Sequence, residues 1–272
     1  MTGVQTCALP ILSVNEMKKI SELPSELFNG VTNPYVPGPE LKYSAKLNLH
    51  SDYEPDIDPI TFEVIRHALW NINEEHGATI QRVSGSPVAM YALDLNPTIM
   101  TEDAEFVYVG PYMQYMSGVA DTQVKWILQY RSDNPGIADG DMFLSNDPWV
   151  GAPHQQDVML ICPIFWEGEL FAWITNCLHQ YDIGGITPGS FCPAAESCFD
   201  EGISLPPVKI IEDLEIRKDI EEVYLRSSRK PEMVALDFRA QMVGNTSARK
   251  RMLDLRSEDS TRLNSSHALI SY

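Results

Sequence analysis

Two apolar runs separated by four residues constrain the fold of this chain more than any other feature. Residues 158–165 (VMLICPIF) and 170–178 (LFAWITNCL) are rich in β-branched and aromatic side chains, which is typical of β-strands. The residues between them, 166–169 (WEGE), suit a tight turn, because Gly168 can adopt a positive φ at no steric cost. The sequence therefore predicts an antiparallel hairpin.

The open end of this hairpin brings three potential ligands together. In an antiparallel pair, a turn centred on 167–168 places Asp157 opposite or next to His179, and facing Cβ atoms lie roughly 4.5–5.5 Å apart. His154 precedes Asp157 by one short turn. Because two imidazoles and a carboxylate at one point are typical of a metal site, we predict that His154, Asp157 and His179 bind a metal ion. Hydrogen-bonded structural histidines are the alternative that this pattern leaves open.

A further acidic residue, Asp94, lies inside the apolar run 88–95 (VAMYALDL). Burying a lone carboxylate is costly unless it is paired or bound to a metal. The alternative is a side chain that points to solvent from a half-buried strand. The pattern by itself favours this solvent-facing alternative.

Both ends of the chain carry residues that we interpret as translated sequencing adapter. Residues 1–11 (MTGVQTCALPI) and 260–267 (STRLNSSH) follow a standard adapter oligonucleotide codon by codon. We therefore leave 1–11 and 256–272 out of the interpretation of the fold. The expected protein sequence is 12–255, an internal fragment that is cut short at its C-terminus.

Composition and charge restrict the partners and the environment of the chain. The formal net charge of −18 argues against nucleic acid and anionic membrane surfaces as partners. No apolar run approaches the roughly 18 residues of a membrane span. The cysteines outside the adapter-like ends form no CxxC pair: they are Cys162, Cys177, Cys192 and Cys198. We expect a reduced, cytoplasmic protein.

The remaining sequence predicts an extended leader over residues 12–57, which is rich in Pro, Ser and Glu, followed by one domain over 58–255. Asp58 and Pro59 form a helix start, because Asp caps the first turn and Pro suits its first position. Residues 78–110 alternate between short extended runs and turns. Further helices are predicted over 116–131, 212–227 and 231–253.

Several common catalytic motifs do not occur in the sequence. It contains neither a phosphate-binding GxxxxGK loop followed by Ser or Thr nor a GxGxxG dinucleotide motif between a strand and a helix. It also lacks the GxSxG nucleophile motif. The chain therefore shows no nucleotide site of its own.

Four segments resemble the hydantoinase B/oxoprolinase family: 58–87, 140–158 (GDMFLSNDPWVGAPHQQDV), 163–173 (PIFWEGELFAW) and 201–210 (EGISLPPVKI). Within that family, the HxxD motif, the hairpin and the following His resemble most closely the α subunit of acetone carboxylase and its acetophenone carboxylase relatives. The resemblance covers 58–255, the N-terminal part of a longer family chain. It implies an α+β fold with mixed, largely antiparallel sheets and flanking helices, as a fragment of a larger catalytic subunit.

The resemblance also implies cofactors and partners. The acetone carboxylase α subunit holds manganese, and by motif its ligands correspond to His154, Asp157, His179 and Asp94, although the family has Glu at the last position. Zn or Fe also suits such a ligand set. A hydantoinase A-type partner binds and cleaves ATP, and a small third subunit can complete the complex. One departure is Gln114, which aligns with a His of the family.

Three functions are consistent with the sequence. The first is an ATP-dependent carboxylase acting on a ketone, in which the metal holds an enolate while CO2 adds. The second is an N-methylhydantoinase- or 5-oxoprolinase-type hydrolase, in which the metal assists attack of water on a phosphorylated cyclic amide. The third, from another class, is a non-catalytic assembly subunit whose acidic surface and leader bind a partner.

Overall fold

A computed structural model describes residues 34–53 and 56–258 of the chain. Its strands are β1 (Leu95–Thr101), β2 (Phe106–Val109), β3 (Met142–Ser145), β4 (Asp157–Trp166), β5 (Glu169–His179), β6 (Val208–Glu212) and β7 (Glu215–Ile216). They form one sheet in the order β2-β1-β5-β4-β3-β6-β7, and each neighbouring pair is antiparallel.

Helices cover both faces of this sheet. They are α1 (Pro59–Val83), α2 (Gln114–Ser117), α3 (Ala120–Arg131), α4 (Lys218–Arg226) and α5 (Pro231–Glu258). Helices α1 and α5 pack on one face, where Ile72, Ile174 and Met252 share an apolar cluster. Helix α3 packs on the other face, where Ile127 and Trp173 lie in a second cluster. The predicted α+β fold with flanking helices is confirmed.

The predicted hairpin forms the centre of the sheet. Strands β4 and β5 pair over their full length, with Asp157 facing His179 at the open end. At the closed end, Glu167 and Gly168 both have positive φ, 52° and 86°, as a two-residue type I′ turn requires. A bulge between Ile164 and Phe165 shifts the register by one residue near the turn. The sequence prediction of the hairpin and of the Asp157–His179 pairing is confirmed.

The predicted extended runs are wrong at 78–83 and 88–92, because helix α1 continues to Val83 and a π-helical turn spans Val88–Ala92. Gly77 lies inside α1 and does not end it. A Cβ at Gly77 would lie 2.3 Å from Cε2 of Tyr112, so the glycine allows this ring to pack against the helix. A helical glycine costs only about 1 kcal/mol relative to Ala, and this close packing compensates for it.

The predicted helix over 212–227 is too long at its N-terminal end. Residue 212 ends β6, and a turn at Asp213 and Leu214, both with positive φ, leads into β7 before α4 begins at Lys218. The predicted helix over 116–131 is interrupted after Ser117, because Val119 has the non-helical backbone of an N-cap residue. Both differences arise at residues that favour turns, Asp213 in one case and Ser117 with Gly118 in the other.

The described part of the predicted leader packs on the domain. Leu47 is buried in the cluster beneath α3. His50 N donates to Leu170 O at 2.9 Å, and Leu170 N donates to Asn48 O at 2.8 Å. The remainder of the leader, 12–33, and the adapter-like residues 1–11 and 259–272 lie outside the described residues. Across 34–53 and 56–258, no helix has the length and apolar character needed to cross a membrane.

Candidate metal centre

Three of the four predicted ligands meet at the open end of the central hairpin. Asp157 is the first residue of β4 and His179 the last of β5, and both are fully buried. His154 lies in the preceding loop, and its carbonyl accepts a hydrogen bond from Asp157 N at 3.1 Å. This turn brings the His154 side chain, which is 24% exposed, over the strand ends. One ligand atom from each residue lies within 4.8 Å of the others.

The two imidazoles approach opposite oxygens of the same carboxylate. His179 Nδ1 lies 3.0 Å from Asp157 Oδ1, and His154 Nε2 lies 3.1 Å from Asp157 Oδ2. Asp157 Oδ2 is buried, and its ion-pair contact is with His154 Nε2. The carboxylate is therefore enclosed between two ring nitrogens, one facing each oxygen.

The outer hydrogen bonds of the rings determine which nitrogen carries the proton. The Ser190 carbonyl lies 2.9 Å from His179 Nε2 and can only accept, so this nitrogen is the donor. Gln156 Oε1 lies 2.5 Å from His154 Nδ1 and likewise accepts. In neutral rings, His179 Nδ1 and His154 Nε2 then present lone pairs to Asp157. Such contacts require a proton or a cation between the atoms, and metal-binding histidines have this outer-shell arrangement.

The fourth predicted ligand, Asp94, lies at the edge of this group. It precedes β1, the neighbour of β5 in the sheet, and its Oδ2 lies 3.8 Å from His179 Nδ1. Its side chain is 17% exposed, and its Oδ1 is buried without a hydrogen bond from the described residues. The solvent-facing alternative is therefore wrong. Its role as a ligand, like that of His154, Asp157 and His179, stays a prediction.

Two aromatic residues complete the site, and sequence reasoning missed both. The Phe191 ring stacks on His154, with centroids 6.1 Å apart and planes 10° apart, and its centroid lies 5.1 Å from that of His179. The half-exposed Tyr115 lies close to the carboxylates of Asp157 and Asp94, and burial together with their charges raises the pKa of its phenol. Position 115 follows the Gln114 that departs from the family, which was the one available signal.

Opposing effects of burial and neighbouring charge set the charge states of His154 and Asp157. Burial opposes the charged form of His154, but the adjacent Asp157 carboxylate outweighs it and raises the pKa of His154 above 6.5. Burial would raise the pKa of Asp157, but the His154 and His179 imidazoles outweigh it and hold that pKa below 3.8. Without metal, the site therefore favours an ionised carboxylate beside a protonated His154.

We expect the stabilising contribution of His154 in the metal-free chain to fall as pH rises from 6 to 8. A folded-state pKa above 6.5 contributes stability that is complete below pH 6.5 and is lost as pH rises through the folded pKa. The contribution of Asp157 is present above pH 3.8 and lost only in acid, so it does not oppose this trend. Urea unfolding in EDTA at several pH values measures the effect.

His154→Gln is the matched variant for this measurement, because it removes the titrating group and retains a polar side chain. The excess of the parent's free energy of unfolding over that of His154→Gln is expected to shrink between pH 6 and 8. The exposed His67, which lies 3.7 Å from Glu63 on α1, provides the control variant His67→Gln. Equal pH dependence in the parent and in His154→Gln would contradict the assigned charge state.

Fold and site together define an α+β domain whose central hairpin carries a candidate metal centre. The hydantoinase B/oxoprolinase family model matches residues 58–264, so the chain belongs to this family. The match begins at the predicted start of the domain and ends beyond its predicted end at 255.

Three known proteins illustrate the relationship. The acetophenone carboxylase delta subunit of Aromatoleum aromaticum is 30% identical over 75% of this chain. The nucleotide-free structure of acetone carboxylase has the same fold, with a TM-score of 0.73 and 24% identity over 78% of this chain. The ATP-dependent caprolactamase of Pseudomonas jessenii matches with a TM-score of 0.70 and 26% identity over 79%. The two solved relatives are named as ATP-dependent, one a carboxylase and the other a caprolactamase, and the first relative is named as a carboxylase subunit.

The chain corresponds to about a third of each relative. It covers 30% of the acetophenone carboxylase subunit, 28% of the acetone carboxylase chain and 36% of the caprolactamase chain. The candidate metal centre and the sheet that carries it lie within residues 58–264, which the family model matches.

Proposed function

We propose that this chain is the metal-binding part of the catalytic subunit of an ATP-dependent carboxylase similar to acetone or acetophenone carboxylase. One observation carries the proposal: the outer hydrogen bonds of two imidazoles leave His179 Nδ1 and His154 Nε2 facing the two oxygens of one buried carboxylate, at 3.0 and 3.1 Å. A divalent cation would take the place of a proton between these atoms and satisfy all three groups at once.

The donor set fits a borderline or hard divalent metal, with manganese as the proposed ion and zinc or iron as alternatives. His154, Asp157 and His179 would hold it, with Asp94 from β1 as the fourth ligand. When bound, such an ion supplies Lewis-acid stabilisation of negative charge on a substrate oxygen. None of the four residues is a cysteine, which disfavours soft metals such as Cu(I).

Two aromatic side chains beside the centre are proposed to orient a substrate and to exclude water. Phe191 covers the outer faces of both histidines and restricts access of water to their ring nitrogens. The raised pKa keeps the phenol of Tyr115 protonated beside Asp157 at neutral pH. This hydroxyl donates to the Asp157 carboxylate, and its oxygen can accept a hydrogen bond from a substrate that enters from the exposed side. We propose that Tyr115 and Phe191 line the substrate pocket.

ATP would be handled by a separate, hydantoinase A-type subunit. The absence of a phosphate-binding loop from this sequence supports this division. Both solved relatives are ATP-dependent by their descriptions, and the acetophenone carboxylase relative is named as one subunit of several. We propose that the partner activates the substrate by phosphorylation and that this chain completes the reaction.

Hydrolysis of a cyclic amide is the second candidate. It is favoured by the caprolactamase match, which has a TM-score of 0.70 and a slightly higher identity, 26%, than the 24% of acetone carboxylase. In this reaction the same ligands would stabilise the oxygen of a lactam during attack by water. The site geometry is compatible with both reactions, because each develops negative charge on a substrate oxygen.

The decisive experiment measures Mn²⁺ binding to the purified chain by isothermal titration calorimetry and by EPR of the free ion. One ion per chain is expected. ATP-dependent fixation of labelled bicarbonate with acetone or acetophenone is then compared with hydrolysis of hydantoin, 5-oxoproline or caprolactam, in each case with the ATP-binding subunit present. Absence of metal binding would remove the catalytic proposal and favour an assembly role.

A further inference from the structure

Asp182 ties together the two ends of the loop that follows the metal centre. We call residues 184–191 (GGITPGSF) the glycine loop. The Asp182 side chain is buried, and its Oδ1 accepts from Gly184 N at 3.0 Å while its Oδ2 accepts from Gly189 N at 3.1 Å. One carboxylate thus fixes both glycine amides and holds the loop in a closed shape.

Arg229, between α4 and α5, fastens the same loop from outside. Its backbone N donates to Asp182 Oδ1 at 3.0 Å and its Nη1 donates to Asp182 Oδ2 at 3.2 Å. The guanidinium also donates to Gly184 O, at 2.9 Å from Nη1, and to Gly185 O from Nη2. Arg229 therefore contacts both the carboxylate and the first two residues of the loop.

The far end of the glycine loop delivers two groups to the metal centre. The Ser190 carbonyl contacts His179 Nε2 at 2.9 Å, and Phe191 stacks on His154. These are the contacts that assign the His179 tautomer and cover the outer faces of the rings. The contact with His179 Nε2 comes from the backbone carbonyl of Ser190, so it does not depend on the side chain at this position. The position of this carbonyl depends on the path of the loop alone.

Close packing makes that path specific. A Cβ at Gly184 would lie 2.7 Å from Ser227 O, and one at Gly185 would lie 2.7 Å from Asp200 O. The loop therefore fits between two neighbouring backbone segments with no space for side chains. Because Asp182 and Arg229 hold the base of the glycine loop, a small change in their contacts moves Ser190 relative to His179.

We infer that Asp182 and Arg229 are positioning residues, which fix the tautomer and orientation of His179 through the glycine loop and so tune its affinity for the metal. This inference rests on the proposed function for the metal itself. Outer-shell partners of metal-binding histidines change affinity by about 10- to 100-fold when removed. Here the outer-shell partner of His179 is the Ser190 carbonyl. The side chains of Asp182 and Arg229 act on this carbonyl from the other end of the glycine loop.

The test compares Arg229→Ala and Asp182→Asn with the parent, using the full chain. In the metal-free parent, ¹⁵N NMR of the imidazoles is expected to show a proton on His179 Nε2, where the Ser190 carbonyl accepts it. In both variants, a mixture of tautomers is expected, and the Mn²⁺ affinity is expected to fall about 10- to 100-fold. Arg226→Ala is the matched control, because this arginine is 81% exposed and its nearest carboxylate, on Glu222, is 3.9 Å away.

The two readouts separate this inference from the proposed function. If the parent binds no Mn²⁺, the proposed function fails. The His179 tautomer then still tests whether Asp182 and Arg229 position this imidazole. Near-UV circular dichroism checks the fold, and should Arg229→Ala unfold, the nearly isosteric Asp182→Asn variant decides. A folded variant with a parental tautomer and parental affinity would overturn the inference.

Discussion

Replacing His179 with alanine is expected to weaken Mn²⁺ binding by more than about 100-fold, beyond the loss that an outer-shell change causes. The substitution removes the nitrogen that lies 3.0 Å from Asp157 Oδ1 and 3.8 Å from Asp94 Oδ2. Without it, the remaining ligands come from one loop, one strand end and the edge of the site. Isothermal titration calorimetry and EPR of free Mn²⁺ measure the change, and ATP-dependent turnover with the partner subunit is expected to fall with it.

His67→Ala is the control, because it removes an exposed imidazole from α1 and is expected to leave the affinity unchanged. His179 is fully buried, so its variant must be shown to be folded by near-UV circular dichroism. His154→Ala alters a more exposed side chain and is expected to act in the same direction. Parental Mn²⁺ affinity in both folded variants would refute the proposed centre.

The core of the site could be predicted from sequence because it is local. The apolar runs and the glycine turn fix the pairing of β4 with β5, and this pairing by itself places Asp157 opposite His179. His154 follows because it is one short turn from Asp157. The fold class was predicted only through the family resemblance, since hairpin patterns do not determine the order of a seven-stranded sheet.

The rest of the site depends on contacts between distant parts of the chain. Asp94 reaches His179 because β1 pairs with β5, and nothing in the local pattern of residues 88–95 indicates this pairing. Tyr115 and Phe191 come from α2 and from the glycine loop, and both are exposed aromatic residues in sequences that resemble ordinary loops. Hydrophobic patterns in a sequence indicate which side chains are buried in the core. Tyr115 and Phe191 are exposed and face the candidate metal centre, so these patterns do not reveal them.

The errors in helix boundaries have a similar origin. Tertiary packing of Tyr112 on Gly77 allows α1 to pass a residue that usually ends helices. At Asp213 and Leu214, pairing of β6 with β7 favours a turn over the helix that local propensity suggested. In both places long-range contacts outweigh a local preference of about 1 kcal/mol.

The largest effect on stability is expected from Trp173→Ala, at about 3–5 kcal/mol in the free energy of unfolding. Trp173 is fully buried on β5, packs in the cluster beneath α3, and donates from Nε1 to Glu102 O at 3.1 Å. Its removal leaves a cavity beside the strand that ends at His179 and deletes the hydrogen bond to Glu102 O. Trp70→Ala is the control, because this side chain is 46% exposed on α1 and is expected to cost under about 1 kcal/mol. Urea unfolding measures both, and equal losses would contradict the assigned position of Trp173 in the core.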